Sequence, residues 1–162
     1  MRYRGPLYRA LNPVYARQPL SGAGAARHGG RFNPCGVPAL YTALEVMGAL
    51  REANQAGSLQ PTVLVRYDAD LSPVFDSRDA DALAAYGMEA QALADPGWRD
   101  AMRGTGEAPT QTLARRLIAD GYAGLLVRSF AKGAGPDDLN LVLWRWETDL
   151  VLVDDENRLS RL

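Results

Sequence analysis

Residues 29–52 constrain the fold of this chain more than any other stretch; with His28 in front they read HGGRFNPCGVPALYTALEVMGALRE. Gly29 and Gly30 lack a Cβ and tolerate positive φ, so backbone can come close to a ligand there. Arg31 follows directly. Pro34, Gly36 and Pro38 shape an irregular turn, because proline fixes φ and glycine permits sharp reversals. The apolar run Val37 to Thr42 reads as a strand ending near Tyr41. From Leu44 the pattern becomes helical, with Val46, Ala49, Leu50 and Ala53 spaced for one buried face. Glu45 and Glu52, seven positions apart, are expected together on a flank of that helix.

A chain of 162 residues is expected to form one domain with its own core. The 47% hydrophobic and 23% charged content are those of an ordinary globular protein, which argues against long disorder. A net charge of −1 gives no basic footprint for nucleic acid or an anionic membrane. Lys132 is the only lysine, so arginine supplies nearly all of the positive charge. The single cysteine, Cys35, excludes an internal disulfide and a cysteine-based zinc site. His28 is the only histidine, which leaves a thiol–imidazole nucleophile and a metal site poorly supported. The sequence has neither a signal-like N-terminus nor an apolar run of about 18 residues, so a cytoplasmic location is expected.

Around the central stretch the elements follow from period and punctuation. Leu7 to Ala10 reads as a short strand, and Ser21 to Gly30, with four glycines, as a loop that is either slack or the wall of a ligand site. Thr62 to Tyr67 is a β-branched strand, followed by loop with an extended piece at Val74-Phe75. Asp79 to Leu93 reads as one helix ending at Asp95-Pro96-Gly97, with a further helical turn at Trp98 to Met102. Thr110 is expected to cap a helix that runs to Asp120 and closes at Gly121. Ala123 to Phe130 reads as a buried strand delivering Arg128 and Ser129 at its end. Leu139 to Trp146 and Leu150 to Val153 read as two strands joined in a hairpin, with Trp144 and Trp146 on one face.

Several of these residues carry chemistry, each beside a plainer alternative. Arg31 among glycines suits a phosphate or pyrophosphate, or a surface salt bridge. Tyr41 could stack on a flat ring, or be a core tyrosine with a satisfied hydroxyl. Glu52 could be a catalytic carboxylate or a solvated helix residue. Ser129 could contact a ligand or form a turn, and Asn140 could bridge backbone. No P-loop, dinucleotide fingerprint, GxSxG elbow or HExxH motif occurs.

Taken together, GGRFNPCGVPALYTA, a glutamate eleven residues after its tyrosine, GYAGLLVRSF and NLVLW resemble the RES-domain family. Its members are toxins of bacterial toxin–antitoxin pairs with Xre-type antitoxins, and the likeness runs from YRALNPVYA to the final strands. The resemblance implies an α+β fold like that of ADP-ribosyltransferases, with a split mixed sheet, flanking helices and a single domain. It implies cleavage of NAD at the nicotinamide–ribose bond, with ADP-ribose passed to a protein, to water or to phosphate, and no need for a metal. The family's arginine, glutamate and serine fall on Arg31, Glu52 and Ser129, its tyrosine on Tyr41 and a further pocket arginine on Arg9. The implied catalytic set is therefore Glu52, Arg31 and Tyr41, with Arg9, Gly30, Ser129 and Asn140 holding NAD beside them. Phe32 stands where the family often has tryptophan. The expected partners are an Xre-type antitoxin, which would carry the DNA binding, and a cellular protein that accepts ADP-ribose. A catalytically silent antitoxin-binding domain is the competing reading, opposed by the intact Arg31, Tyr41, Glu52 and Ser129 set.

Overall fold

Strand β3 (Val63–Leu71) buries Val65, Tyr67, Ala69 and Leu71 and exposes Leu64, Arg66, Asp68 and Asp70 between them. That period of two carries the strand four residues beyond Tyr67, where charge suggested a loop, because the aspartates point to solvent while Ala69 and Leu71 stay inside. The computed structural model describes residues 1–54 and 57–162. In it β1 (Tyr3–Leu11) pairs antiparallel with β3 in unbroken register, from Tyr3 opposite Leu71 to Leu11 opposite Val63. The remaining strands are β2 (Leu40–Ala43), β4 (Val74–Asp76), β5 (Gly124–Arg128), β6 (Leu139–Leu143) and β7 (Leu150–Leu152). They form one mixed sheet in the order β4-β5-β6-β2-β1-β3-β7, with β4 and β5 parallel and the other neighbours antiparallel.

The seam between β2 and β1 is thin. These strands share one register pair, Tyr8 with Ala43, while β2 pairs through all four of its residues with β6. Across that seam the sheet curls, since Val74 and Leu126 near one edge share a core with Val65, Tyr67 and Leu150 near the other. A second core, with Phe32, Leu113, Leu117, Leu125 and Val142, lies on the opposite face. Alternation along β5 and β6 divides the residues between the two: Leu126 and Leu141 go to the first, Leu125, Val127 and Val142 to the second.

The helices are α1 (Ala23–His28), α2 (Val46–Ala53), α3 (Ala80–Ala85), α4 (Ala90–Leu93), α5 (Trp98–Thr105) and α6 (Pro109–Ala119). This is the α+β, single-domain arrangement of mixed sheet and flanking helices that the sequence suggested. Several local expectations change. The Ser21–Gly30 loop contains α1, closed by Gly29 at φ +71°. The expected helix from Asp79 to Leu93 is two, because Gly87 at φ +73° stops the first. Thr110 lies buried inside α6 instead of capping it; the cap is Ala108, whose N–H is taken by the Gln111 side chain at 2.9 Å.

The terminal hairpin does not form. Both edges of β6 are occupied, by β2 and β5, so β7 crosses to the far side and pairs with β3. The chain leaves the sheet after Leu143, which sends the two tryptophans to different cores. Trp144 donates its indole N–H to Phe32 O at 2.9 Å, and Trp146 to Leu20 O at 3.1 Å.

Candidate functional site

The glycine-rich loop is a braced platform. Gly29 N–H donates to Ala25 O at 2.8 Å and Gly30 N–H to Asn33 O at 2.9 Å, so both amides are used within the loop and are not presented to an anion. Asn33 is fully buried; its amide donates to Ala25 O and Val37 O, each at 2.9 Å, and its Oδ1 accepts from the Tyr41 hydroxyl at 2.6 Å. The same hydroxyl accepts from Phe32 N–H at 3.0 Å, and burial raises its pKa above the ordinary tyrosine value. From α6, Gln111 Nε2 donates to Gly30 O at 2.9 Å and Asn33 O at 3.2 Å. Gly30 must be glycine for packing: a Cβ there would sit 2.5 Å from Asn33 Oδ1 and collide with the Tyr41 hydroxyl.

Glu52 lies on the packed side of α2. The buried residues of that helix are Gly48 and Ala49, one turn before Glu52, while Val46 and Ala53 are exposed, so the expected apolar face is displaced. Glu45 is the extended N-cap residue and shares no helical flank with Glu52. The small Gly48 lets α2 approach β2, where a Cβ would lie 3.3 Å from that of Ala43. Glu52 Oε1 accepts from Ser129 Oγ at 2.5 Å and from Asn140 Nδ2 at 2.6 Å. Next to it, Arg51 pairs with Asp138 at 3.1 Å, and Asp138 O accepts Ser129 N–H at 2.8 Å. These contacts tie α2 to the β5–β6 connection. Asn140 Oδ1 is buried without a hydrogen-bond partner.

Two cavities meet at this carboxylate, sharing Tyr41, Glu52 and Asn140 in their walls. One, of about 250 Å³, occupies the wedge where β1 and β2 part, with Tyr8, Ala10 and Ala49 also in its wall. The other, of about 260 Å³, is bounded by Gly30, Arg31, Trp98, Arg99, Arg128 and Phe130. Arg31 Nη1 donates to Leu93 O at 3.0 Å, on the last residue of α4, and to Asp95 O at 2.9 Å just past it, and the guanidinium lies 5.0 Å from the Phe130 ring centre. Burial and then the neighbouring Arg99 lower its pKa below the ordinary arginine value, while Glu52 and Asp95 act in the opposite sense. Arg99 stacks on Trp98 at 4.5 Å.

Arg31, Tyr41, Glu52, Gly30 and Asn140 thus line one cavity, and Ser129 touches it through Glu52. Arg9 lines the wedge, but its place between Leu7 and Leu11 turns its side chain to the opposite face, where it donates to Pro19 O at 3.4 Å. His28 and Cys35 are exposed. Among the described residues no group of His, Cys, Asp or Glu side chains could hold a metal ion, and no helix is long and apolar enough to cross a membrane.

Sequence reasoning missed Gln111, Asn33 and Arg99. Gln111 left a trace, since a glutamine three residues into a helix that reaches back to the cap N–H is half of a capping box. Asn33 and Arg99 left none, because no turn or period rule marks an asparagine as a loop brace or a helix arginine as a cavity wall.

The family model of the RES domain matches residues 6–161. No match is found among curated proteins. Among solved structures, a chain in the crystal structure of the M. tuberculosis MbcT–MbcA toxin–antitoxin complex superposes with a TM-score of 0.67 at 23% identity, covering 95% of this chain and 84% of that one. That likeness concerns the fold.

Proposed function

The chain belongs to the RES-domain family, and we propose that it is the toxin of a toxin–antitoxin pair that cleaves NAD at the nicotinamide–ribose bond and transfers ADP-ribose to a cellular protein. The observation that carries this reading is the Glu52 carboxylate, oriented by Ser129 and Asn140 at the junction of two cavities, one of which is bordered by three arginines.

The residues present fit a dinucleotide. Arg31, Arg99 and Arg128 suit a diphosphate. Each cavity alone is near or below the lower end of the ~300–1,000 Å³ typical of ligand pockets, but the two adjoin at Glu52. The Tyr41 hydroxyl is fixed by the loop, which leaves its ring as the surface it offers to a flat heterocycle.

As the glycosidic bond breaks, its electron pair leaves with the nicotinamide nitrogen and positive charge develops on the ribose. The Glu52 carboxylate opposes that charge, and the hydrogen bonds from Ser129 and Asn140 fix its position before the reaction, so the stabilisation is greatest in the transition state. A nucleophilic side chain of the acceptor then bonds to the anomeric carbon and releases its proton to solvent.

The MbcT–MbcA structure is a toxin–antitoxin complex, which supports an antitoxin as partner here. The Xre type of that antitoxin and a cytoplasmic site of action belong to the same proposal. Incubation of the protein with biotinylated NAD and cell extract tests it. Label on a protein band is expected and should vanish with Glu52→Gln. Free ADP-ribose would instead mean hydrolysis, and a phosphorylated ADP-ribose phosphorolysis. Equal NAD turnover by wild type and Glu52→Gln would reject the assignment of Glu52.

A further inference from the structure

The cavity walled by Arg31, Arg99 and Arg128 continues past Phe130. A third cavity, of about 310 Å³, adjoins it along Val127, Arg128 and Phe130 and lies between the end of β5 and α4. We propose that this third cavity receives the adenosine half of the dinucleotide, with the diphosphate beneath Arg99 and Arg128 and the nicotinamide in the wedge between β1 and β2. The assignment rests on the NAD reading above and adds an orientation to it.

The order follows from charge and from the position of Glu52. The bond that breaks must lie beside Glu52, which borders the wedge cavity and the arginine cavity and no other described here. The diphosphate bears the negative charge of the ligand, so it belongs on the side with the guanidiniums. Arg31 spends Nη1 on Leu93 O and Asp95 O and anchors the segment at the end of α4, whereas among the described residues neither Arg99 nor Arg128 has a hydrogen bond or ion pair. Nicotinamide is then left to the other side of Glu52. With ribose and diphosphate in the cavity of about 260 Å³, adenosine continues along the same wall, where the third cavity adjoins it.

What lies there suits a purine. Ala90, Leu93, Ala94 and Phe130 give apolar surface, and the exposed Gln91 carboxamide offers both a donor and an acceptor to a base edge. The other large cavity near the site, on the Ala53 side, is lined by no arginine among the described residues, so a diphosphate leading that way would pass no cation.

Calorimetric titration of the Glu52→Gln protein, in which turnover is blocked, tests the orientation with three ligands: NAD, ADP-ribose and nicotinamide mononucleotide. Ala94→Trp fills the third cavity from an exposed helix end, and Ala90→Trp does so from the other end of α4, with a thermal melt to show that each variant folds. The expected result is that NAD and ADP-ribose bind about tenfold or more weakly to the filled variants, while the mononucleotide stays within about twofold of the parent. Equal weakening of all three ligands, or unchanged NAD and ADP-ribose binding in both folded variants, overturns the placement of adenosine. Failure of the parent protein to bind NAD or ADP-ribose would instead remove the NAD reading itself, and the orientation with it.

Discussion

Asn140 on β6 and Glu52 on α2, 88 positions apart in sequence, meet in a hydrogen bond of 2.6 Å from Nδ2 to Oε1. Ser129 Oγ reaches the same oxygen at 2.5 Å from the end of β5. A carboxylate held by two donors on one oxygen cannot swing with its helix, and three elements must be correctly packed before it points where it does.

Loss of either donor should therefore act on turnover more than on binding. Asn140→Ala and Ser129→Ala are each expected to lower kcat for NAD by about 10–100-fold with KM little changed, because a misplaced carboxylate costs transition-state stabilisation. The double variant should lose less than the product of the two, since both donors serve one oxygen. Steady-state kinetics on the three proteins check this. A rise in KM at unchanged kcat would mean that the pair binds ligand instead of positioning Glu52.

Tyr41→Phe keeps the ring and removes the hydroxyl that joins Phe32 N–H to Asn33 Oδ1. Leaving these groups unsatisfied in the loop should cost about 1–3 kcal/mol of unfolding free energy. Denaturant unfolding measures it, and NAD affinity should change less than stability if the ring is what meets the ligand.

Gln111→Leu removes the bracket between α6 and the glycine-rich loop. Gly30 O and Asn33 O each lose a donor and Ala108 N–H loses its partner, for an expected loss of about 1–3 kcal/mol. The loop that carries Arg31 should loosen with it, which hydrogen exchange at residues 29–33 would register as faster exchange than in the parent.

Asp76 is held below its ordinary pKa of 3.8, chiefly by its hydrogen bonds with the Arg78 side chain. A carboxylate depressed in the folded state contributes stability above its unfolded pKa and loses it as pH falls through the lower folded value. The pair is partly solvated, so Asp76→Asn should cost less than about 1 kcal/mol at neutral pH. The gap between wild type and variant should hold at pH values well above 3.8 and close as pH falls below it through the lower folded value. Unfolding curves across that range check the sign.

The glycine-rich loop, its tyrosine and the glutamate that follows were readable because they are contiguous, and turn residues and period act over a few positions. The long register of β1 with β3 was only half visible, since Asp68 and Asp70 look like loop until alternation places them outside. The hairpin of the last two strands failed for a non-local reason: β6 has no free edge. The buried face of α2 was misjudged for a similar one, because Gly48 is small enough to let the helix sit against β2.

By itself the sequence determined the family, the α+β class and the residue types from which a site could be built. Only the tertiary structure decided which of those residues meet. It set Ser129 and Asn140 on one oxygen of Glu52, turned Arg9 to the far face, occupied Arg31 with backbone carbonyls and brought in Arg99 from a helix that no motif marks. The reason is physical. Which face a strand residue occupies depends on register, and which side chains share a cavity depends on where the sheet parts and curls, and neither is written in any window of neighbouring residues.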